Sequence, residues 1–401
     1  MDWRWPNELL RFKGKIMKHI GIAGAGFSGA VLAQELARAG CTVEVFDTRA
    51  HIAGNCHTAR DDATGVMVHT YGPHIFHTSD LDVWNYVQRF GEFVPFVNRV
   101  KAITQGRVYS LPLNLLTINQ FFGRTDSPRQ AAAFFQQLAH AADLEAGPAQ
   151  NFEAQALRLM GRALYDAFFR TYTLKQWDTD PTELPASILK RLPVRFDYND
   201  NYYASTYQGI PRQGYTAVVG RMLDHPNITV HLGRRLDRLE AGDYDHVFCS
   251  GPIDGWFNHL DGRLGYRTLD FVREDHDGDY QGNAVVNYCD DTVPWTRISE
   301  HKHFAPWETH AKTVIFKEFS RACGAADTPY YPIRLNEERT LLSHYVGRAR
   351  AEQGVTFVGR LGTYRYLDMH IAIAEALEAA KHYVASLSDA RPMPAFLVEP
   401  L

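Results

Sequence analysis

A glycine-punctuated turn between two apolar runs constrains this chain more than any other feature. Residues 18–47 read KHIGIAGAGFSGAVLAQELARAGCTVEVFD. A short, largely apolar run from His19 to Ala23 enters a turn with Gly24, Gly26 and Gly29 at GxGxxG spacing. Helix-forming residues Ala30–Ala39 follow, then Gly40, then a second apolar run, Thr42–Phe46, ending in Asp47. This is a strand–helix–strand unit of about 30 residues with an acid at the end of its second strand. Gly24 permits the tight turn, Gly26 lets the backbone approach a pyrophosphate, and Gly29 lets helix and strand pack closely. Free N–H groups at the helix start hold phosphates, and Asp47 accepts hydrogen bonds from a ribose. The segment predicts a dinucleotide site on a Rossmann-like sheet.

A chain of 401 residues has room for about two to three domains and a large core. Its 42 basic and 46 acidic residues leave a net charge of −4, which gives no electrostatic case for nucleic acid. Cys41, Cys56, Cys249, Cys289 and Cys323 are scattered, with no CxxC pair. Such a set points to reduced thiols in a cytoplasmic protein, not to a disulfide framework or a zinc site. No run approaches about 18 apolar residues, so no membrane span is expected. Residues 1–16 lack the apolar centre of a secretory signal and read as an extension ahead of the fold.

Motif order sets the architecture, since the chain contains no repeat. Residues 66–79 (VMVHTYGPHIFHTS) predict a strand and a loop, and 93–111 predict short strands around the turn Gln105–Gly106. From Pro112 the period turns helical. Ser127–Pro128 opens an alanine-rich helix to about Ala142, Asn151 caps another, and Ala154–Leu174 carries apolar residues at i, i+3 and i+4. Strand-like sequence returns at 191–212, at 227–254 and, joined by turns, over 264–345, before the strand, glycine loop and amphipathic helix of 355–387. The expected fold is α/β. Discontinuous segments 17–90, 213–262 and 346–390 build a Rossmann-like cofactor domain; an inserted helical domain spans 113–190; an antiparallel β-sheet domain takes 91–112, 191–212 and 263–345.

TRAHIAGN follows Asp47, so Gly54 and Asn55 form a second glycine turn shortly beyond the acid. Flavin-adenine enzymes, which wrap backbone around a longer cofactor, use such a turn; NAD dehydrogenases usually run on into a crossover helix. The GRLGTYRYLDM segment before the last helix supports the same choice. A helix N-terminus aimed at a flavin favours its anionic reduced form by roughly 0.3–1 kcal/mol. The expected cofactor is FAD.

Ten blocks stand in one order between about Met17 and Leu387: GAGFSG (24–29), HIAGN (51–55), YGPHIFHT (71–78), FVPFVNRV (93–100), YTLKQW (172–177), KRLPVRFDYNDNYY (190–203), IPRQGYT (210–216), TRISEHKHF (296–304), PYYP (329–332) and GRLGTYRYLDM (359–369). Together they resemble the bacterial UDP-galactopyranose mutases, which usually have glycine where this chain has Ala53. The resemblance implies an isomerase that interconverts UDP-galactopyranose and UDP-galactofuranose. In that reaction N5 of reduced FAD attacks the anomeric carbon and UDP leaves and returns. It further implies a cytoplasmic homo-oligomer serving cell-wall or polysaccharide biosynthesis. It assigns substrate contacts to Asn98, Phe168, Tyr172, Thr173, Trp177, Arg191, Tyr202, Arg297, Tyr330 and Tyr366, with Arg191 and Arg297 catalytic. Cofactor contacts fall on Gly24, Gly26, Phe27, Ser28, Asp47, Thr48, Arg49, Gly54, Asn55, His74, Ile75, His77, Leu236, Arg360, Tyr366, Leu367, Asp368 and Met369.

These residue types suit a diphosphate sugar. Arginine forks take phosphate oxygens bidentately, and tyrosines donate without carrying charge. Phe168, Tyr172 and Trp177, at helical spacing, could present an aromatic face to a uracil. His74 and His77 lack a third ligand nearby, so no metal is expected, and a place beside the flavin suits them better. Asp368 at a helix start reads as a cap or a ribityl contact in preference to a general base. The main alternative is a flavin-dependent oxidoreductase of amine-oxidase type, since the cofactor fold alone does not fix the chemistry. Two cationic forks are of no use to an amine pocket.

Overall fold

The computed structural model describes residues 18–141, 148–186, 194–333, 336–389 and 391–401. The N-terminal extension therefore lies outside the described residues. Five parallel strands form one sheet, in the order Ile228–Leu232, Thr42–Asp47, His19–Ala23, His246–Cys249 and Val355–Phe357. Its inner strands are near-continuous apolar runs, as burial on both faces requires. Ile20, Ile22, Val43 and Val45 pack beneath helix Phe27–Arg38, which itself lies against helix Met369–Asp389. The opposite face buries Phe46, Val247 and Phe357 against helix Asn336–Ala351. That helix begins inside the stretch expected to be strands. Leu342, Tyr345, Val346 and Ala349 are its buried residues, a helical i, i+3, i+4, i+7 stripe.

A second sheet has seven strands: Tyr331–Pro332, Tyr266–Asp277, Lys312–Ala322, Arg297–Glu300, Val285–Tyr288, Val100–Thr104 and Arg107–Leu111, in spatial order. The expectation of an antiparallel sheet needs one correction. Val285–Tyr288 pairs parallel to Val100–Thr104, which the long intervening chain permits. The hairpin of 100–111 turns on Gln105 (φ 51°) and Gly106 (φ 70°), the two left-handed residues that match strand twist. A small antiparallel sheet of Phe76–Thr78, Tyr207–Pro211 and Phe93–Pro95 is separate from both larger sheets.

Helices Leu115–Phe122, Pro128–Ala141 and Phe152–Leu164 follow the hairpin, the first and third capped by Asn114 and Asn151 side chains. The helix expected over 154–174 is broken twice. Gly161 turns left-handed (φ 73°), where a Cβ would lie 3.0 Å from Leu138, and Tyr165–Arg170 forms a π-helical turn before helix Thr171–Trp177. Among the described residues no helix is long and apolar enough to cross a membrane.

Candidate functional site

A cleft of about 610 Å³ opens at the carboxyl ends of the parallel strands, where such sheets place their ligands. Each fingerprint glycine has a measurable reason. A Cβ on Gly24 (φ 109°) would lie 2.2 Å from Ser250 Oγ, and one on Gly29 would lie 1.9 Å from the Gly24 carbonyl oxygen. Gly26 is open: its nearest neighbour would be Gly54 Cα at 4.0 Å, so the two glycine turns face each other across the cleft. No side chain caps helix Phe27–Arg38, and its first N–H groups are left to the cleft. Asp47 pins the turns, its carboxylate accepting from Ala25 N at 3.0 Å and Arg49 N at 2.9 Å. Ala53 adopts φ 74°, a left-handed conformation that costs a residue with a Cβ about 1–2 kcal/mol.

Of the expected cofactor residues, Gly24, Gly26, Phe27, Ser28, Asp47, Thr48, Arg49, Gly54, Asn55, His74, Leu236, Arg360, Leu367, Asp368 and Met369 line this cleft. Ile75 is instead buried in the core of the helical region. His77 stacks on Tyr203 at 3.7 Å, and Tyr366 stacks on Tyr331 at 5.3 Å. His74 donates through Nδ1 to the Gly72 carbonyl at 2.9 Å, and burial pushes its pKa down to about 4, so the ring is neutral. Arg360 donates to the carbonyls of Leu367 and Tyr330, and its guanidinium lies 5.2 Å from the Tyr366 ring.

Beyond Arg360 a second group of side chains converges. Arg297 and Glu318 are cross-strand partners, and Arg297 Nε donates to Glu318 Oε2 at 2.8 Å. Burial is the largest single effect and disfavours the Arg297 charge, but the Glu318 charge and hydrogen bond, with Tyr172 and Tyr331, together raise the pKa and hold the guanidinium ionised. Tyr172 and Tyr331 lie close enough to feel that charge. Burial pushes the phenols of Tyr172, Tyr203, Tyr330 and Tyr331 up, so all four are neutral donors. Register places Asn287 opposite Arg297 in the same row. Asn287 Oδ1, Ser299 Oγ and Glu318 Oε1 are buried without hydrogen-bond partners among the described residues, as is Asn98 Oδ1, just before strand Val100–Thr104. Orphan polar atoms gathered on one sheet face signal a ligand or ordered water.

Other expected substrate residues fall as follows. Asn98 is buried, and its carbonyl accepts from Tyr202 N at 2.8 Å. Thr173 is buried on helix Thr171–Trp177, with Tyr172 and Trp177 packed at the edge of the adjoining core. Phe168 lies in the π-turn, where α-helical spacing fails, and its ring packs on Tyr109 and Phe121 at 5.1 and 5.6 Å. Tyr330 faces Tyr71 at 6.3 Å. Arg191 lies outside the described residues.

Sequence reasoning missed Glu318, Tyr331, Tyr203 and Arg267. The tyrosines were second members of YY pairs. Glu318 and Arg267 were charges at alternating strand positions, and inward orientation was the signal available. Arg267 is 2% exposed, donates to Ser320 Oγ at 3.1 Å, and burial pulls its pKa down.

The family model for UDP-galactopyranose mutase matches residues 167–366, and that for an NAD(P)-binding Rossmann-like domain matches 22–90. A probable UDP-galactopyranose mutase of Klebsiella pneumoniae is 54% identical, covering 95% of this chain and 98% of the relative. A dTDP-fucopyranose mutase of Escherichia coli is 48% identical, covering 92% and 99% respectively. A crystal structure of reduced UDP-galactopyranose mutase superposes with a TM-score of 0.72 over 92% of this chain and 96% of that one; at 16% identity it speaks to the fold alone. The chain belongs to the UDP-galactopyranose mutase family, an enzyme family of isomerases.

Proposed function

We propose that this enzyme interconverts UDP-galactopyranose and UDP-galactofuranose by ring contraction, with FAD as its cofactor and the reduced form as the active one. The observation that carries the reading is the Arg297–Glu318 pair, ringed by neutral tyrosines and joined to the glycine-lined cleft through Tyr330 and Arg360. The cleft suits FAD: opposed glycines leave room for a diphosphate, and Asp47, which lines the cleft, offers an acceptor for an adenosine ribose. Reduced FAD, when bound, would supply the N5 nucleophile for the anomeric carbon, which suits a site with no activated side-chain nucleophile among the described residues.

The chain's own residues do the rest. Arg297, with Arg191, stabilises the diphosphate as negative charge grows on it. Tyr172, Tyr202, Tyr330 and Tyr366 orient phosphate and sugar hydroxyls, and Asn98 supplies an acceptor. Trp177 flanks the base. A cytoplasmic homo-oligomer feeding polysaccharide synthesis is part of the same proposal.

A second reading, a dTDP-linked 6-deoxyhexose as substrate, is favoured by the 48% identical relative. Purified protein incubated with UDP-galactofuranose and, in parallel, dTDP-fucopyranose, each with and without dithionite, separates the cases by chromatography of the products. Turnover of the uridine substrate only after reduction is expected. Equal turnover without reductant, or none, overturns the proposal; turnover of the thymidine substrate alone transfers it to the second reading.

A further inference from the structure

His51 and Tyr71 join the two loops that flank the cofactor cleft. The Ile52 carbonyl can only accept, so the 2.9 Å contact from His51 Nδ1 fixes the proton on that nitrogen. His51 Nε2 is then the acceptor, and the Tyr71 hydroxyl donates to it at 2.8 Å. The same hydrogen bond to Ile52 braces the turn in which Ala53 sits at φ 74°. Tyr71 in turn lies under Arg49, whose guanidinium is 5.1 Å from the ring centroid, while Arg49 Nη2 donates to Asn55 Oδ1 at 2.6 Å. Among the described residues no carboxylate side chain pairs with the Arg49 guanidinium; Asp47 engages only its backbone N–H. The cation is therefore held by neutral partners, an amide oxygen and a ring face, and its charge is left for an anion in the cleft.

We infer that His51 and Tyr71 are positioning residues that hold Arg49 toward the diphosphate of the cofactor, an inference that rests on the flavin reading of the cleft. An arginine on a flexible stem loses side-chain entropy when it binds; a ring beneath it and a hydroxyl anchored to His51 remove part of that loss in advance.

The test is FAD titration of apoprotein, followed by flavin fluorescence, with melting temperature recorded for each variant. Tyr71→Leu is expected to weaken FAD binding by roughly tenfold, and Tyr71→Phe, which keeps the ring, by about threefold. His51→Ala should match Tyr71→Phe, whereas His51→Gln, whose amide oxygen accepts the same hydroxyl, should stay within about twofold of wild type. Arg49→Gln/Tyr71→Leu should bind no more than about twofold weaker than Arg49→Gln alone, because Tyr71 acts through Arg49. Additive losses, or unchanged affinity in Tyr71→Leu, overturn the inference. If Tyr71→Leu fails to fold, the same cycle with Tyr71→Phe decides. Wild-type apoprotein that takes up no FAD would instead refute the flavin reading itself.

Discussion

The Arg297–Glu318 pair allows stability and substrate recognition to be separated by experiment. Glu318 has only 1% of its side chain exposed, whereas Arg297 has 25%. With charge centres about 4 Å apart and an effective dielectric of about 20, their attraction is about 4 kcal/mol. Arg297→Ala removes that attraction and leaves a desolvated carboxylate, and breaking such a pair costs about 3–5 kcal/mol. The partial exposure of Arg297 puts the expectation near 3 kcal/mol, or roughly 3–4 °C in Tm if the chain unfolds as one unit. Glu318→Gln should cost less, about 1 kcal/mol, because the amide oxygen still accepts from Nε and the arginine keeps access to water. Arg297→Ala/Glu318→Gln should then recover about 2 kcal/mol of the single-mutant loss. Activity should not follow. Both variants lacking Arg297 should lose roughly 30- to several-thousand-fold in kcat/KM, since each lacks the proposed diphosphate contact. Urea unfolding and steady-state kinetics on the four proteins measure both. A double variant no more stable than Arg297→Ala refutes the orphaned-carboxylate reasoning, and one that regains activity refutes the assignment of Arg297.

Gly26→Ala should fold with near wild-type stability, since Gly26 has an ordinary φ of −78° and open space beyond it, yet lose FAD affinity because the methyl enters the cleft. Gly29→Ala should instead lower Tm and FAD content together, because its Cβ meets the Gly24 carbonyl at 1.9 Å; melting curves and flavin content distinguish the two. His74 and His246 have pKa values pushed down to about 4 by burial, so both fold neutral. The unfolded chain binds more protons as pH falls from about 6.5 toward 4, and stability should decline through that window by up to about 3 kcal/mol per histidine. Denaturation midpoints constant from pH 7 to 4.5 would contradict this. Phe396 is 6% exposed and packs on Phe357, while Ala395 accepts the Phe357 N–H at 2.8 Å. Phe396→Ala should cost about 3 kcal/mol, read by urea titration, by uncovering the edge strand Val355–Phe357.

What could be read in advance divides along a physical line. Local patterns fix local structure: the GxGxxG unit, the Gln105–Gly106 hairpin and the Ser127 and Asn151 helix starts depend on neighbours within a few residues, and each stands where its pattern put it. Helix Asn336–Ala351 carries its own stripe, but it follows directly on strand-rich sequence with no strong break between them. The π-turn at Tyr165–Arg170 is different in kind. Nothing in DAFF forbids an α-helix, and the Phe168 ring of that turn packs on Tyr109 and Phe121, which arrive from far away in the chain. The candidate site shows the same division. The cofactor cleft is built largely from turns that carry their own glycines, so its residues announce themselves. The wall that carries Arg297 is a register. Glu318 reaches Arg297 only because two strands pair with those positions level, and Asn287 joins them only because a third strand does the same. A one-residue slip in either pairing would turn one of these side chains away from the row. The chemistry of that wall therefore resides in strand alignment, and a substitution that shifts the register of Arg297–Glu300 should remove substrate recognition while leaving the glycine-lined cleft able to hold its cofactor.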